Sequence, residues 1–183
     1  MKKHVRDRTQ ENLSRVKNLI KIYEQAKNDK GELNTDVLRS AVVLLHATLE
    51  ECLRSISYSK LPSASADELK KIPHKISISK VAEYRDKTID RLLRDSLSEH
   101  LGRATYNNKD DISRALKSLS ISTSGLDLVS LETAIKRRHS IVHRADRSNV
   151  DGGHGPISSI QAAHVERWVE HVEKFVQLVF DEL

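Results

Sequence analysis

The chain has 183 residues, 31% of them charged and 38% hydrophobic, and its formal net charge is +5. This length predicts a single domain over residues 1–183, with enough apolar side chains to bury a core. Six glycines, three prolines and 4% aromatic residues are too few for a β-sandwich or barrel, so the composition predicts an all-α protein. Cys52 is the only cysteine, which argues against a disulfide framework or a cysteine-based zinc site.

Hydropathy and charge bear on location and on partners. No apolar stretch is long enough to cross a membrane, and no apolar signal core follows the basic residues at the start. We therefore expect a cytoplasmic protein with no membrane partner. Basic residues are concentrated in residues 1–30 and 136–147, which fits a nucleic-acid partner, although a charged run is more often a solvated face.

Apolar residues at helical spacing predict two long helices in the first third of the chain. The first is expected over residues 9–28 with Gly31 as a left-handed cap, and the second is expected to begin at Asn34 or Thr35. The second helix is the most apolar segment and is predicted to be the centre of a bundle. Its predicted buried face consists of Val37, Leu38, Ala41, Val42, Leu45, Leu49, Cys52, Leu53 and Ile56.

The middle of the chain predicts shorter elements. A third helix is expected over residues 81–101 and a short one over residues 112–119. His46 and Glu50 lie four residues apart on the second helix, so they share a face. They form either an ordinary boundary pair or part of a polar cleft.

The C-terminal part predicts two more long helices. One begins near Asp127, and a glycine-containing loop over residues 148–156 follows it. Ser158 and Gln161 match a capping box at the start of the last helix, in which Trp168 is expected to lie in the core. The complete pattern predicts a bundle of four to five main helices with short extra helical segments.

Residues 135–146 contain the densest cluster of chemically active side chains. Four cations lie between Lys136 and Arg144, and their mutual repulsion costs stability unless an anion is bound nearby. The arginine fork is suited to holding phosphate oxygens, and histidine can move protons near neutral pH. We therefore place the functional site here and expect it to act on phosphodiesters.

Spacing alone does not identify the active pair, because other Arg–His pairs in the chain have a similar separation. Arg138 and His143 differ from those pairs because further cations flank them and a helix end and glycine-containing loop follow. The aliphatic residues 141–142 also stand immediately before the histidine. At about 100° per residue the two side chains lie roughly 140° apart around a helix, so the arginine must lean towards the histidine.

Residues 137–144, RRHSIVHR, resemble the signature of the HEPN superfamily. That signature is an arginine, four to six residues and a histidine, often with a polar residue after the arginine and Ile-Val or Ile-Ala before the histidine. The apolar second helix and the long last helix also match the family's order of elements. One position departs from the ribonuclease members: the residue after Arg138, often asparagine, is His139, which changes the partner of the phosphate or of Arg138.

This resemblance implies a metal-independent endoribonuclease that needs no cofactor, acts on RNA and forms a homodimer whose two signatures face each other across a cleft. His143 is then the general base or acid at the ribose 2′-OH or the leaving oxygen, and Arg138 stabilises the pentacovalent phosphate. The expected role is that of a toxin or defence effector, with an antitoxin or regulatory protein as a further partner. The expected substrate-binding residues are Arg137, His139, Ser140 and Arg144.

Other interpretations remain open. The chain would alternatively be a non-catalytic HEPN-type scaffold that binds RNA, a nucleotide or a partner protein, or an unrelated helical adaptor for an acidic protein. His143 would then be an ordinary histidine at a helix C-terminus. His139 and His143 have the spacing of a metal pair, but no HExxH pattern or further cysteine supports one, so no metal site is predicted. Asp146 is expected to pair with Arg144 or Arg147.

Overall fold

The chain folds into a bundle of α-helices in a computed structural model that describes residues 2–26, 32–148 and 155–183. In chain order the helices are α1 (Lys2–Gln25), α2 (Glu32–Lys60), α3 (Ala66–Leu69), α4 (Ile78–Ala82), α5 (Ile89–Arg103), α6 (Lys109–Ser118), α7 (Leu128–Arg144) and α8 (Ala162–Asp181). These described ranges contain no strand, only an isolated bridge between Arg147 and Ile157. The all-α prediction is therefore confirmed. The predicted cap at Gly31 and the loop residues 149–154 lie outside the described part of the chain.

Helix α2 is the centre of the bundle, as predicted. It packs against α1, α5, α7 and α8 because apolar residues cover most of its circumference. Each fully buried leucine contributes roughly 1.5–3 kcal/mol relative to an exposed one, so this helix provides a large part of the stabilisation. Its most deeply buried leucines are Leu38, Leu45, Leu49 and Leu53. No helix in the described ranges is both long enough and apolar enough to span a bilayer.

Helix α1 begins at Lys2, so the predicted start at Thr9 is wrong. The Thr9 hydroxyl donates to the Val5 carbonyl oxygen at 2.8 Å, which is a bond inside a helix rather than a cap. Val5 packs against the hydrophobic core. The first turns of α1 form because that packing stabilises them, which the weak apolar pattern before Thr9 did not indicate.

The predicted third helix over residues 81–101 is instead two helices, α4 and α5. A turn separates them, in which the Lys87 N–H donates to the Tyr84 carbonyl oxygen at 3.0 Å. Thr88 then starts α5, because its side chain accepts a hydrogen bond from the Arg91 N–H. The apolar spacing continues across this break, which is why periodicity alone merged the two helices.

The start of α8 also differs from the prediction. The helix begins at Ala162, and its N-cap residue Gln161 makes no side-chain capping bond, so the predicted capping box at Ser158 is wrong. The Ser158 N–H donates to the Asp146 carbonyl oxygen at 2.8 Å, so this backbone group is bonded to the loop after α7. Trp168 is partly buried and packs against the edge of the core.

Candidate functional site

The signature lies in the C-terminal half of α7, a helix whose two ends are fixed by local hydrogen bonds. The Asp127 side chain caps the N-terminus by accepting from the Ser130 N–H at 3.0 Å. At the other end, Ala145 adopts a left-handed conformation (φ 47°) and its N–H donates to the Ser140 carbonyl oxygen. His143 is therefore in the last turn of the helix. The core-facing residues of α7 are Leu131, Ala134 and Ile135.

Arg138 extends from the core-facing side of α7. At about 100° per residue its direction falls between those of Ala134 and Ile135, towards α2. Its Nε atom is buried and has no hydrogen-bond partner, and the guanidinium forms no ion pair with any described residue. Arg138 is thus a half-buried cation whose charge no described carboxylate neutralises.

His46 on α2 is close enough to Arg138 to be affected by its positive charge. Its Nε2 atom lies 3.1 Å from the Tyr106 carbonyl oxygen, so this nitrogen carries the proton and donates. Its Nδ1 atom lies 3.8 Å from a Glu50 carboxylate oxygen. Burial, together with the positive charge of Arg138, lowers the pKa of His46, although the bond to Tyr106 and the charge of Glu50 act in the opposite direction. His46 is thus buried and Glu50 is partly buried beside it, and the polar cleft that the sequence offered as an alternative for them stays a prediction.

His139 and His143 form a pair of neighbouring, mutually tilted rings on the outer surface of α7. Their ring centroids are 4.5 Å apart with the planes tilted by 46°, and both side chains are exposed. Neither imidazole makes a hydrogen bond or an ion pair with the described residues, and no group of three or more possible metal ligands occurs among those residues. Both rings are accessible to a ligand. No hydrogen bond joins either ring to Arg138, which points to the other side of the helix.

The guanidinium of Arg137 is bound to Asp146. Its Nη2 atom lies 2.7 Å from the Asp146 Oδ2 atom, and the Nε atom of Arg39 on α2 lies 2.8 Å from the same oxygen. Asp146 is completely buried and its backbone is left-handed (φ 59°). The expected pairing of Asp146 with Arg144 or Arg147 is therefore wrong.

The same arginines also hold the segment that precedes α8. Arg137 donates to the carbonyl oxygens of Ser158 and Ser159 at 3.0 and 2.9 Å, and Arg39 donates to that of Ser158 at 3.1 Å. Charge-assisted bonds of this kind are shorter and stronger than neutral ones. They connect α2, the end of α7 and the start of α8, and so fix the position of the last turn that carries His143.

The remaining predicted site residues lie at the end of α7. The Ser140 carbonyl oxygen accepts the Ala145 and Asp146 N–H groups, and its side chain is half-buried. Arg144 is exposed and its side chain makes no ion pair within the described ranges. The structure thus brings His139, His143 and Arg144 to one accessible helix end, and it leaves Ser140 with a structural backbone role.

The comparisons with known proteins agree with this helix order and signature. The family model described as RiboL-PSP-HEPN matches residues 10–183, which include the whole signature. The chain belongs to the RiboL-PSP-HEPN family. No curated protein and no solved structure matches it. The resemblance to the HEPN superfamily is therefore confirmed, whereas the roles of the individual site residues stay predictions.

An open apolar groove of about 550 Å³ runs beside the signature of this HEPN domain. It lies between α2 and the end of α7, and its apolar lining consists of Val43, Leu44, Ala47, Ile141, Ala145 and Ile157. Val142 and Ile157 are 47% and 44% exposed. The groove thus leaves apolar surface accessible to solvent beside the end of α7.

Sequence reasoning missed the role of Arg39 in the HEPN domain. Arg39, Val42, His46 and Glu50 follow one another at intervals of three or four residues, so they share a face of α2. Polar residues inside such an apolar stripe require buried partners. That requirement was a usable signal for a polar layer between α2 and α7, although it did not identify Asp146 as the partner.

Proposed function

We propose that this HEPN domain is an endoribonuclease that cleaves RNA without a metal ion and works as a homodimer. One observation carries the proposal: Arg138 is half-buried without an anionic partner among the described residues, whereas the adjacent Arg137 is bound to Asp146. Leaving a cation unpaired away from water costs stability, so a bound anion would compensate it. Phosphate suits the planar guanidinium fork.

The proposed reaction is attack of the ribose 2′-oxygen on the adjacent phosphorus. The O2′–P bond forms and the P–O5′ bond breaks, which leaves a 2′,3′-cyclic phosphate and a 5′-hydroxyl. A neutral His143 takes the 2′-OH proton, and a protonated His139, whose ring is 4.5 Å away, gives a proton to the leaving oxygen. Arg138 donates to the non-bridging oxygens as their negative charge grows. DNA lacks the attacking hydroxyl and is expected to resist.

The homodimer accounts for the separation of Arg138 from the histidines. The two groups are directed about 140° apart on α7, so one chain alone presents them poorly to a single phosphate. A second copy bound along the apolar groove beside Ile141, with Val142 at the contact, would bring its own histidine pair towards this Arg138. Each of the two sites would then contain residues from both chains.

The proposal is tested by incubating single-stranded RNA with the protein in excess EDTA. Wild type and the exposed-histidine control His4→Ala are expected to cleave, whereas Arg138→Ala and His143→Ala are expected to lose cleavage by at least about 100-fold. Cleavage that requires added metal, or that persists in both variants, would contradict the proposal. Intact RNA bound equally by all four proteins would instead indicate a non-catalytic HEPN scaffold.

The proposed biological role is that of a cytoplasmic toxin or defence effector whose activity an antitoxin or regulatory protein restrains. An unrestrained ribonuclease stops growth by destroying RNA. Expression of the wild-type chain in a bacterial host is therefore expected to arrest growth, and His143→Ala at the same protein level is not. Equal growth of the two cultures would argue against this role without testing the RNA chemistry itself.

A further inference from the structure

A small polar cleft lies between α7 and the first half of α8, outside the signature. Its volume is about 180 Å³, which suits one planar ring system rather than a polymer. Its lining is Ser130, Thr133, His164, Arg167, Trp168 and His171. Neither the signature nor the apolar groove contributes a residue to it, so the proposed cleavage chemistry does not explain it.

The residue types in this cleft are those that hold an unpaired nucleobase. Trp168 is partly buried against the core, so its indole is held in position while part of it remains accessible. The His164 ring lies beside it with a centroid separation of 6.5 Å, and Arg167 is exposed at the rim. Bases stack on aromatic rings and guanidinium planes. The Thr133 hydroxyl donates to the Ser130 carbonyl oxygen, so it can accept a hydrogen bond from the polar edge of such a base, and the Ser130 hydroxyl can donate or accept one.

Charge also favours a nucleic-acid ligand on this side of α8. Arg167 and His171 lie in the cleft, whereas the opposite side of α8, which faces α1, carries Glu166, Glu170 and Glu173. Lys17 and Lys21 of α1 also line that opposite side, and Lys17 pairs with Glu173 at 2.6 Å, so the acids there are partly neutralised. The cleft side, where α8 presents Arg167 and His171, is the one that attracts an RNA strand. The acid next to the cleft is Asp127, whose carboxylate lies 3.6 Å from His171 Nδ1.

The cleft and His143 lie on the same side of α7. Thr133, Lys136, Ser140 and His143 follow one another at three- or four-residue intervals, so they form one strip along the helix. The rise from Thr133 to His143 is about 15 Å, a span of a few nucleotides. Lys136 lies between them; its ammonium group is 3.6 Å from the Glu132 carboxylate, but the side chain is 72% exposed and can turn to the intervening phosphates.

We propose that this cleft is a subsite for an unpaired nucleobase of the RNA, stacked on Trp168, a few nucleotides from the phosphate at His143. The inference rests on the proposed ribonuclease function, because it treats both sites as parts of one RNA path. It adds a preference that the signature alone does not provide: the substrate must offer a single-stranded segment beside the cleaved bond.

Trp168 is the only tryptophan, so its fluorescence reports on the subsite directly. In a His143→Ala background, titration with a single-stranded RNA oligonucleotide is expected to quench the emission to saturation. A DNA oligonucleotide of the same sequence should also quench it, because stacking does not need the 2′-OH. Measured by fluorescence anisotropy of labelled RNA, Trp168→Leu is expected to weaken binding about tenfold, whereas Trp168→Phe keeps most of the affinity. Tyr58→Leu, an exposed aromatic on α2, is the matched control.

The outcomes separate this inference from the ribonuclease proposal. Two results would overturn the subsite alone. One is RNA binding that leaves the Trp168 emission unchanged, and the other is a Trp168→Leu protein with the RNA affinity and KM of wild type. Quenching and tenfold weaker binding in a protein that never cleaves RNA support the subsite and overturn the nuclease. Duplex RNA that binds as tightly as the single strand also overturns the subsite. Circular dichroism of the Trp168→Leu and Trp168→Phe variants guards against a trivial loss of fold.

Discussion

The Arg137 Nη2 atom lies 2.7 Å from the Oδ2 atom of the completely buried Asp146. Arg39 approaches the same oxygen, so one carboxylate joins α2 to the end of α7. The next residue, Arg138, extends in a different direction and binds no described carboxylate. Two adjacent arginines of the signature are therefore distinct: the first holds the helix end in place, and the second is available to an anion.

Asp146→Ala is expected to destabilise the fold by about 3–5 kcal/mol, because it leaves the guanidiniums of Arg39 and Arg137 buried without their anion. Chemical denaturation in urea measures this change in the free energy of unfolding. Asp67→Ala removes an exposed ion pair with Lys70 and should change it by less than about 1 kcal/mol. Equal stabilities of the two variants would contradict the central role of Asp146.

Truncation of the two adjacent arginines is expected to affect stability to different extents. Arg137→Ala removes a buried ion pair and two bonds to carbonyl oxygens, so it should cost about 2–4 kcal/mol. Arg138→Ala removes a cation with no such bond, so its free energy of unfolding should stay within about 1 kcal/mol of wild type. Thermal unfolding and the RNA assay in EDTA are measured side by side. A stable Arg137→Ala or an unfolded Arg138→Ala would refute this division.

Much of the fold follows from local periodicity, and the exceptions follow from distant contacts. The central position of α2 was predictable because its apolar residues cover most of one helix. The start of α8 was not predictable, because the Ser158 N–H is used by the Asp146 carbonyl oxygen in another loop. The early start of α1 similarly depends on packing of Val5 against the core.

The candidate site could likewise be predicted from the sequence only where its residues are neighbours in the chain. The sequence alone singled out Arg138 and His143, because the cations, the aliphatic residues and the helix end are all neighbours in the chain. It placed Arg137 among the substrate-binding residues and gave no sign that Arg137 binds Asp146 and two carbonyl oxygens, because these contacts depend on the tertiary structure. Arg39, which shares the Asp146 carboxylate, is 107 residues away from it in sequence. No local pattern reports such a pairing.

The buried His46 predicts a loss of stability in acid. Burial lowers the pKa of His46, so below about pH 6.5 the unfolded chain binds a proton that the folded protein takes up less readily. Stability therefore rises with pH through this window and falls on acidification. His46→Gln keeps an N–H donor for the Tyr106 carbonyl oxygen but cannot titrate. The free energy of unfolding is expected to fall less in this variant than in wild type between about pH 7.5 and pH 5.5.

Two further histidines serve as comparisons that attribute the acid destabilisation to His46. Burial also lowers the pKa of His100, so part of the acid destabilisation should remain in His46→Gln. His4→Gln replaces an exposed histidine and should show the full wild-type loss. A His46→Gln variant that loses as much stability as wild type over the same pH range would show that His46 is not the responsible group.

Complementation between two inactive variants is expected if the active site is shared by two chains. Arg138→Ala and His143→Ala homodimers would each be inactive, since every site in them lacks one functional group. A mixed dimer retains one site with Arg138 from one chain and His143 from the other. Mixing the two variants under conditions that allow subunit exchange should therefore restore part of the RNA cleavage. If both groups came from the same chain, no mixed site would be complete and the mixture would stay inactive.

The shared active site also requires that the two chains contact each other through the apolar groove. Val142 is 47% exposed and follows Ile141, which lines the apolar groove, so Val142→Glu introduces a charge at the proposed contact. In a Val142→Glu background the mass by light scattering should fall to that of a monomer, and mixing should restore nothing. Ile89→Glu places the same charge at an 84% exposed site on α5 and should leave both the dimer and the complementation intact. A composite site cannot form from separated chains. Complementation that survives Val142→Glu would therefore show that the chains contact each other through another face of the bundle.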